Sequence, residues 1–205
     1  DRFEELRTLD APPFSGEEAL AVILAGTTMP REEYNALLTQ FIAKAEKTPG
    51  IKNRVRLMLV GSANDDVGLV RVMEGDKALV VADNLCFGSR FYTDQVGVNG
   101  DPVFELSKRY LGHNDCPRMY GDYQRRLSIL EQKVKKAKID GVIMQNIRFC
   151  DLHGAENGLF ERDLEAKGVP CMRLEREYGP LVETGRMKMR VDAFIERIQQ
   201  RRAIA

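Results

Sequence analysis

Four short apolar runs, each leading into a polar or Gly-containing loop and then an amphipathic stretch, constrain this chain more than any other feature. They are Leu57 to Val60, Ala78 to Ala82, Gly141 to Met144 and Cys171 to Leu174. The loops after them are Gly61-Ser62-Ala63-Asn64-Asp65, Asp83-Asn84-Leu85-Cys86, Phe149-Cys150-Asp151 and Glu175 to Pro180. A strand buried on both faces reads as a continuous apolar run, which is the signature of a parallel sheet covered by helices. The stretches between have the complementary period. Leu127, Leu130, Val134 and Ala137 share one helical face, and Met187, Val191, Phe194, Ile195 and Ile198 share another. Repetition of strand and helix predicts an α/β fold, a parallel four-stranded Rossmann- or flavodoxin-like sheet with helices on both faces. Such sheets bind ligands outside the carboxyl ends of their strands, where strand order reverses.

A short helical lead-in precedes this pattern. Beyond Pro12 and Pro13, Ser15 is placed to cap a helix running through Ala25, with Glu17 and Glu18 in its first turn. Pro30 suits the first position of a second helix, whose apolar face of Tyr34, Leu37, Leu38, Phe41, Ile42 and Ala45 ends near Pro49-Gly50. The organisation expected is a helical lead-in over residues 1–50 and an α/β domain over residues 51–205.

With 31 basic and 31 acidic residues the chain carries no global field toward nucleic acid or an anionic membrane. Its apolar runs fall far short of the roughly 20 residues a membrane-spanning helix needs. The opening stretch, which starts at Asp1, shows no secretory signal and reads as a fragment or processed chain. Four irregularly spaced cysteines in 205 residues do not resemble a disulfide scaffold. Reduced thiols in a cytoplasmic protein, with neither nucleic acid nor membrane as partner, are the expectation.

Three of the cysteines lie in loops. Cys86 and Cys150 both follow predicted strands, so distant parts of the sequence deliver thiols to one rim. Cys86 sits in Asp83-Asn84-Leu85-Cys86-Phe87-Gly88-Ser89-Arg90, where Gly88 permits close backbone approach and Arg90 favours a thiolate. Cys116 precedes Pro117 between two predicted helices, with Arg118 nearby, and Cys150 is followed by His153 and Glu156. A lone free cysteine is more often a small buried hydrophobe than a ligand, and Cys171, inside an apolar run, is read that way. No Cys-x-x-Cys pair is present, so zinc ribbons, thioredoxin sites and ferredoxin spacing are unsupported. Thiolates gathered from separate loops suit an iron–sulfur cluster better than hard cations.

Other candidates carry less. Gly61-Ser62-Ala63-Asn64 matches no phosphate fingerprint and defaults to an ordinary strand-to-helix turn. Glu175-Arg176-Glu177 reads as a solvated strand end, and Lys133, Lys135, Lys136 and Lys138 as the wet face and dipole-favoured end of a helix. His113 and His153 are the only histidines. His153 is the better functional candidate, although a turn-stabilising hydrogen bond is its default role.

Several segments together resemble a known family. They are Val81-Ala82-Asp83-Asn84-Leu85-Cys86-Phe87-Gly88-Ser89-Arg90, Cys116-Pro117-Arg118-Met119, Asp140-Gly141-Val142-Ile143 with Phe149-Cys150-Asp151, and Gly185-Arg186 leading into Arg190-Val191-Asp192-Ala193-Phe194-Ile195-Glu196. In order and separation, over about Ala19 to Ile198, the set resembles the second half of subunits of the 2-hydroxyacyl-CoA dehydratases and benzoyl-CoA reductases. The resemblance implies a longer protein of two Rossmann-like halves, of which this is the carboxyl-terminal one, with three cysteines on a [4Fe-4S] cluster. It carries over to Cys150, Cys86 and Cys116. The family pattern often has a second cysteine where this chain has Arg118, a departure that bears on Cys116.

The same resemblance implies an acyl-CoA substrate, a homologous second subunit and a separate ATP-dependent iron–sulfur activator protein. The chemistry implied is single-electron transfer at very negative potential to a thioester-activated substrate, giving a ketyl or aryl radical anion. The outcome is dehydration of a 2-hydroxyacyl-CoA or reduction of an aromatic acyl-CoA. A site-open iron in the dehydratases would add Lewis acidity. From the residues alone, two other readings stay open: a non-catalytic flavodoxin-like binding or assembly module with packed cysteines, and a flavin- or nucleotide-binding enzyme using the same rim.

Overall fold

Each predicted apolar run forms a strand. A computed structural model describes residues 2–113, 115–119, 121–179 and 184–204. Its strands β1 (Val55–Gly61), β2 (Ala78–Leu85), β3 (Gly141–Ile147) and β4 (Cys171–Arg176) make one parallel sheet in the order β2-β1-β3-β4. The helices are α1 (Arg2–Thr8), α2 (Gly16–Thr28), α3 (Arg31–Ala45), α4 (Val67–Glu74), α5 (Ser89–Tyr92), α6 (Pro102–Gly112), α7 (Tyr123–Lys136), α8 (Asp151–Ala166) and α9 (Thr184–Ile204). Among the described residues no helix is long and apolar enough to cross a membrane.

The strands alternate between two cores, as the pleat requires. Leu57, Leu59, Val80 and Ile143 pack under Leu69 and Met73 of α4 and Val191, Phe194, Ile195 and Ile198 of α9. Met58, Val60, Val81 and Met144 pack on the other face under Leu127 and Leu130 of α7 and Phe160 and Leu164 of α8. Each fully buried Leu, Met or Ile contributes roughly 1.5–3 kcal/mol, so both faces hold the sheet. From β1 the chain steps outward to β2, crosses back to β3 and continues to β4. Strand order therefore reverses between β1 and β3, which is the ligand position for such sheets.

The strands outrun their apolar runs. β2 extends through Asp83 and Asn84, which stay paired with Leu59 and Val60 although the residue pattern marks them as loop. The reason is charge compensation from elsewhere in the chain, described below. The last predicted loop, Glu175 to Pro180, ends outside the described residues at Pro180.

Ser15 caps α2 in a capping box with Glu18, as its position predicts. Pro30 sits just before α3 as its N-cap rather than at its first helical position. The apolar face read for α3 is only partly covered: Ala45 is buried and Leu38, Phe41 and Ile42 are half-buried, while Leu37 is exposed. Helix α1, seven residues long, is too short to show a period but buries Phe3 and Leu6 with Phe14, Ala19, Ile23 and Ala45. Leu20 of α2 joins the sheet core. The buried carboxylate of Glu74 accepts backbone N–H bonds from Gly16 at 2.7 Å and Val80 at 2.8 Å, which fastens α2 to β2. Burial raises its pKa against the lowering effect of those donors.

Candidate functional site

At the carboxyl rim, beside the reversal in strand order, loops from three separate segments meet. Gly61 ends β1 with φ +133°, a conformation open to glycine, and a Cβ there would lie 1.8 Å from the Gln145 carbonyl oxygen. The strand end is thus pressed against β3 with no room for a side chain.

Cys86 follows β2 in a turn pinned by Asp83. One carboxylate oxygen of Asp83 accepts the Ser89 N–H at 2.6 Å, and the Ser89 hydroxyl donates to the Asp83 carbonyl at 2.6 Å. Gly88 is needed here, because a Cβ on it would lie 2.1 Å from Asp83 Oδ1. The second carboxylate oxygen takes Nη1 of Arg7 at 2.8 Å, an ion pair in which both side chains are buried. Lys133 Nζ donates to the Asp83 carbonyl at 2.7 Å and to Ser89 Oγ at 2.5 Å. Lys133 therefore belongs to the rim, and its assignment to the wet face of the helix is corrected. Burial raises the Asp83 pKa, but the charges of Arg7 and Lys133 and the Ser89 N–H outweigh it, leaving the carboxyl below its ordinary range.

Arg90 ties the loops together. Buried at 5% exposure, its Nη2 donates to the Gly61 carbonyl at 2.6 Å and to Cys86 Sγ at 3.1 Å, while Nη1 donates to the Asp115 carbonyl at 3.2 Å. One guanidinium thus touches the end of β1, the first thiol and the residue before Cys116. Burial raises the Cys86 thiol above its ordinary pKa, Arg90 lowers it, and the thiols of Cys116 and Cys150 push it up again. The thiolate-favouring effect expected of Arg90 is present but outweighed by burial.

Cys116 lies between α6 and α7, in a loop held by Arg126 of α7. Arg126 Nη1 donates to the Met119 carbonyl at 3.0 Å, and its other nitrogens form a buried bidentate pair with Glu156 of α8, Nη2 to Oε1 at 2.6 Å and Nε to Oε2 at 3.0 Å. Cys150 is the residue immediately before α8, so the same ion pair bolts the Cys116 loop to the helix that carries Cys150. Cys150 is half-buried and lines a cleft of about 370 Å³ with Asn146, Asp151 and Glu175.

His153, one turn into α8, is buried, with Nε2 3.5 Å from Arg90 Nη2. A guanidinium only donates, so Nε2 is the acceptor and Nδ1 carries the hydrogen. Nδ1 has no partner among the described residues. Burial, with Arg90 and Arg126 adding to it, pushes the His153 pKa down to about 3, so the ring stays neutral.

Cys171 is not at the rim. It is 3% exposed in the core under α8, and burial, reinforced by Glu165 and Glu161, pushes its pKa up to about 12. In the Gly61 to Asn64 turn Ser62 Oγ accepts the Ile147 N–H at 2.9 Å, Nδ2 of the buried Asn64 has no partner among the described residues, and beyond it the Asp66 carboxylate caps α4 through the Gly68 and Leu69 N–H. Arg176, read as solvated, is mostly buried and donates to Gln145 Oε1 at 3.2 Å and the Ala63 carbonyl at 2.9 Å.

The donor set fits an iron–sulfur group. Three thiols from loops far apart in sequence share a rim, a buried guanidinium is placed to offset thiolate charge, and a buried imidazole N–H lacks a partner among the described residues. Their sulfur atoms do not all fall within 4.8 Å of one another, which is tighter than a polynuclear cluster holds its thiolates. Residue pattern misses Arg7, Arg126 and Glu156 as organising groups. The one signal for them is a polar Asp83-Asn84 pair abutting an apolar run, with Glu156 at helical spacing from His153.

Against known proteins, the family described as 2-hydroxyglutaryl-CoA dehydratase, D-component, matches residues 1–198. The chain is 23% identical to the (R)-phenyllactyl-CoA dehydratase beta subunit of Clostridium sporogenes over 122 residues, 60% of this chain and 32% of that protein. It is 23% identical to the beta subunit of the lactoyl-CoA dehydratase of Anaerotignum propionicum over 178 residues, 86% of this chain and 47% of that protein. It is 26% identical to a benzoyl-CoA reductase subunit of Thauera aromatica over 151 residues, 71% of this chain and 39% of that protein. The chain thus spans between about a third and about half of the length of the curated relatives it matches.

Proposed function

Because the chain belongs to the 2-hydroxyglutaryl-CoA dehydratase D-component family, we propose that it is part of an iron–sulfur subunit of an acyl-CoA-processing enzyme. The reaction is dehydration of a 2-hydroxyacyl-CoA or reduction of an aromatic acyl-CoA, after the named activities of its relatives. What supports this reading is buried Arg90 at the switch point, which donates to Cys86 Sγ, to the carbonyl of Asp115 beside Cys116, and lies 3.5 Å from His153 of the helix that Cys150 precedes. When bound, a [4Fe-4S] cluster supplies single low-potential electrons to the thioester-activated substrate.

The protein's residues set the conditions for that chemistry. Cys86, Cys116 and Cys150 would hold the cluster. Arg90 donates to the Cys86 sulfur and offsets the negative charge of a thiolate, and charge and hydrogen bonds at sulfur tune cluster potential. Arg126 and Glu156 hold the Cys116 loop and α8 in one arrangement. A neutral His153 adds an N–H donor without adding charge. Exclusion of water by such packing protects reactive intermediates. A homologous second subunit and an ATP-dependent iron–sulfur activator complete the proposed assembly.

Anaerobic reconstitution of the full-length protein with iron and sulfide tests the assignment. The expected result is a broad visible absorbance, a paramagnetic signal on reduction, and iron content that falls in Cys86→Ala, Cys116→Ala and Cys150→Ala variants. Unchanged iron in the triple variant rejects the cluster and favours the module with packed cysteines. Product analysis with a 2-hydroxyacyl-CoA and an aromatic acyl-CoA, in the presence of the second protein of the assembly, separates the two reactions.

A further inference from the structure

Beside the thiol rim lies a second group of donors that the proposed chemistry does not use. Asp94 follows α5, His113 caps the carboxyl end of α6, and Asp115 stands two residues further on. One ligand atom from each lies within 4.8 Å of the other two. We propose that Asp94, His113 and Asp115 bind a divalent first-row transition ion that fastens α6 to the rim.

Asp115 gives the strongest reason. It is 7% exposed, and its Oδ1 has no hydrogen-bond partner among the described residues. The cation nearest to hand, Arg125 Nη2, stands at 3.8 Å, within ion-pair range but beyond a hydrogen bond. A buried carboxylate oxygen left in this state is costly unless it is paired or bound to metal. Asp94 and Asp115 also lie on the wall of a cleft of about 450 Å³ shared with Thr93, Arg125, Gln132 and Lys133, which provides an approach from solvent and room for water ligands.

The frame around the triad is built. Arg109 of α6 donates to the carbonyls of Asp94 at 2.9 Å, Thr93 at 2.8 Å and Phe91 at 3.1 Å, which sets the end of α5 against α6. Asp94 is held at φ +62°, an uncommon conformation for a residue other than glycine, and its carboxylate meets His113 Nδ1 at 3.0 Å. The Asp115 backbone is fixed from the other side by Arg90. Helix α6 itself buries no residue, so apolar packing does not hold it in place. Polar contacts at its carboxyl end hold it instead, and a shared ion at His113 would add the strongest of them.

The donor chemistry selects the ion. Calcium and magnesium favour all-oxygen shells, whereas an imidazole with two carboxylates suits zinc, cobalt, manganese or ferrous iron. Three protein ligands leave positions for water. The site is independent of the cluster assignment, because none of its donors is a thiol.

Cobalt(II) added anaerobically to the full-length, cluster-free protein distinguishes the two. The expected result is one equivalent bound in the Cys86→Ser, Cys116→Ser, Cys150→Ser triple variant, with visible d–d bands and no near-ultraviolet sulfur-to-cobalt transition. Asp115→Asn and His113→Gln should each weaken binding about tenfold or more. Asp94→Asn, at an exposed position, supplies the same test should the buried variant fold poorly. Hydrogen exchange in α6 should slow on adding cobalt to the wild type and not to His113→Gln. Equal affinity in all three ligand variants, or binding that disappears with the cysteines alone, overturns the proposal.

Discussion

Replacing Asp83 with asparagine isolates what the buried charge at the end of β2 does. The side chain keeps its shape and its Oδ1 acceptor for the Ser89 N–H, but the oxygen that faces Arg7 at 2.8 Å becomes an NH₂ group. A donor then faces a donor, with Arg7 only 3% exposed. Removing one partner of a buried ion pair costs about 3–5 kcal/mol. Glu4, which also pairs with Arg7 at 2.7 Å, holds the loss near the lower end, about 3 kcal/mol. With a urea slope of about 3 kcal/mol/M for a chain of this size, the unfolding midpoint should fall by about 1 M. The pH dependence carries its own sign. Because the folded pKa of Asp83 is depressed, its contribution is complete above the unfolded value of about 3.9 and is lost as pH falls through the folded one. The gap between wild type and Asp83→Asn should be level from about pH 8 to pH 5 and narrow below about pH 4. Urea titrations at several pH values measure both. A gap under about 0.5 kcal/mol at pH 7, or one that widens in acid, refutes the assignment of Asp83 as a stabilising buried carboxylate.

Three further outcomes follow from the same geometry. Gly61→Ala should cost more than about 3 kcal/mol or prevent folding, since its Cβ would sit 1.8 Å from the Gln145 carbonyl; a midpoint within error of wild type would contradict the close strand contact. Arg90→Gln removes a positive charge 3.1 Å from Cys86 Sγ and should make a reconstituted cluster harder to reduce, with Arg90→Lys intermediate; redox titration followed by the paramagnetic signal decides, and an unshifted potential counts against the tuning role. Cys171, its pKa pushed up to about 12, should stay unreactive toward thiol reagents at pH 8 in the folded protein, and Cys171→Ala should leave iron content unchanged while costing about 1 kcal/mol; reduced iron would place Cys171 at the cluster after all.

What can be read from residues alone follows a physical boundary. Apolar continuity reports burial on both faces of a strand, so β1 to β4 and the α7 and α9 faces are legible, as is the Ser15 cap, a local contact three residues long. Rim placement of Cys86 and Cys150 follows from their positions after strands. The strand status of Asp83 is not legible, because the charge that permits it comes from Arg7, 76 residues away. Lys133 and Arg176 mislead for the same reason: a cation looks solvent-facing until its distant carbonyl or carboxylate is known. Helix α6 offers charged and apolar residues at helical spacing, yet it buries none of them, so periodicity alone gives no account of what holds it. Local pattern reports hydrophobic burial well and long-range polar compensation hardly at all.

The three thiol loops are each fixed by buried ionic groups, and the choice of ions over hydrocarbon calls for an explanation. A buried ion pair adds little net stability compared with apolar residues of similar volume, but removing one partner is expensive. Directional bonds of a guanidinium can fix several backbone carbonyls at once, which an apolar side chain cannot do. Arg126 holds Met119 and Glu156 together, and Arg90 holds Gly61, Cys86 and Asp115. Loops at a strand rim have few apolar contacts to define their position, so such bonds are the available means of setting where a sulfur atom lies. A site of the kind proposed, with several thiolates around one polynuclear group, would need position more than extra stability. The ionic bolts supply positional definition, and they place positive charge where ligated thiolates would be negative.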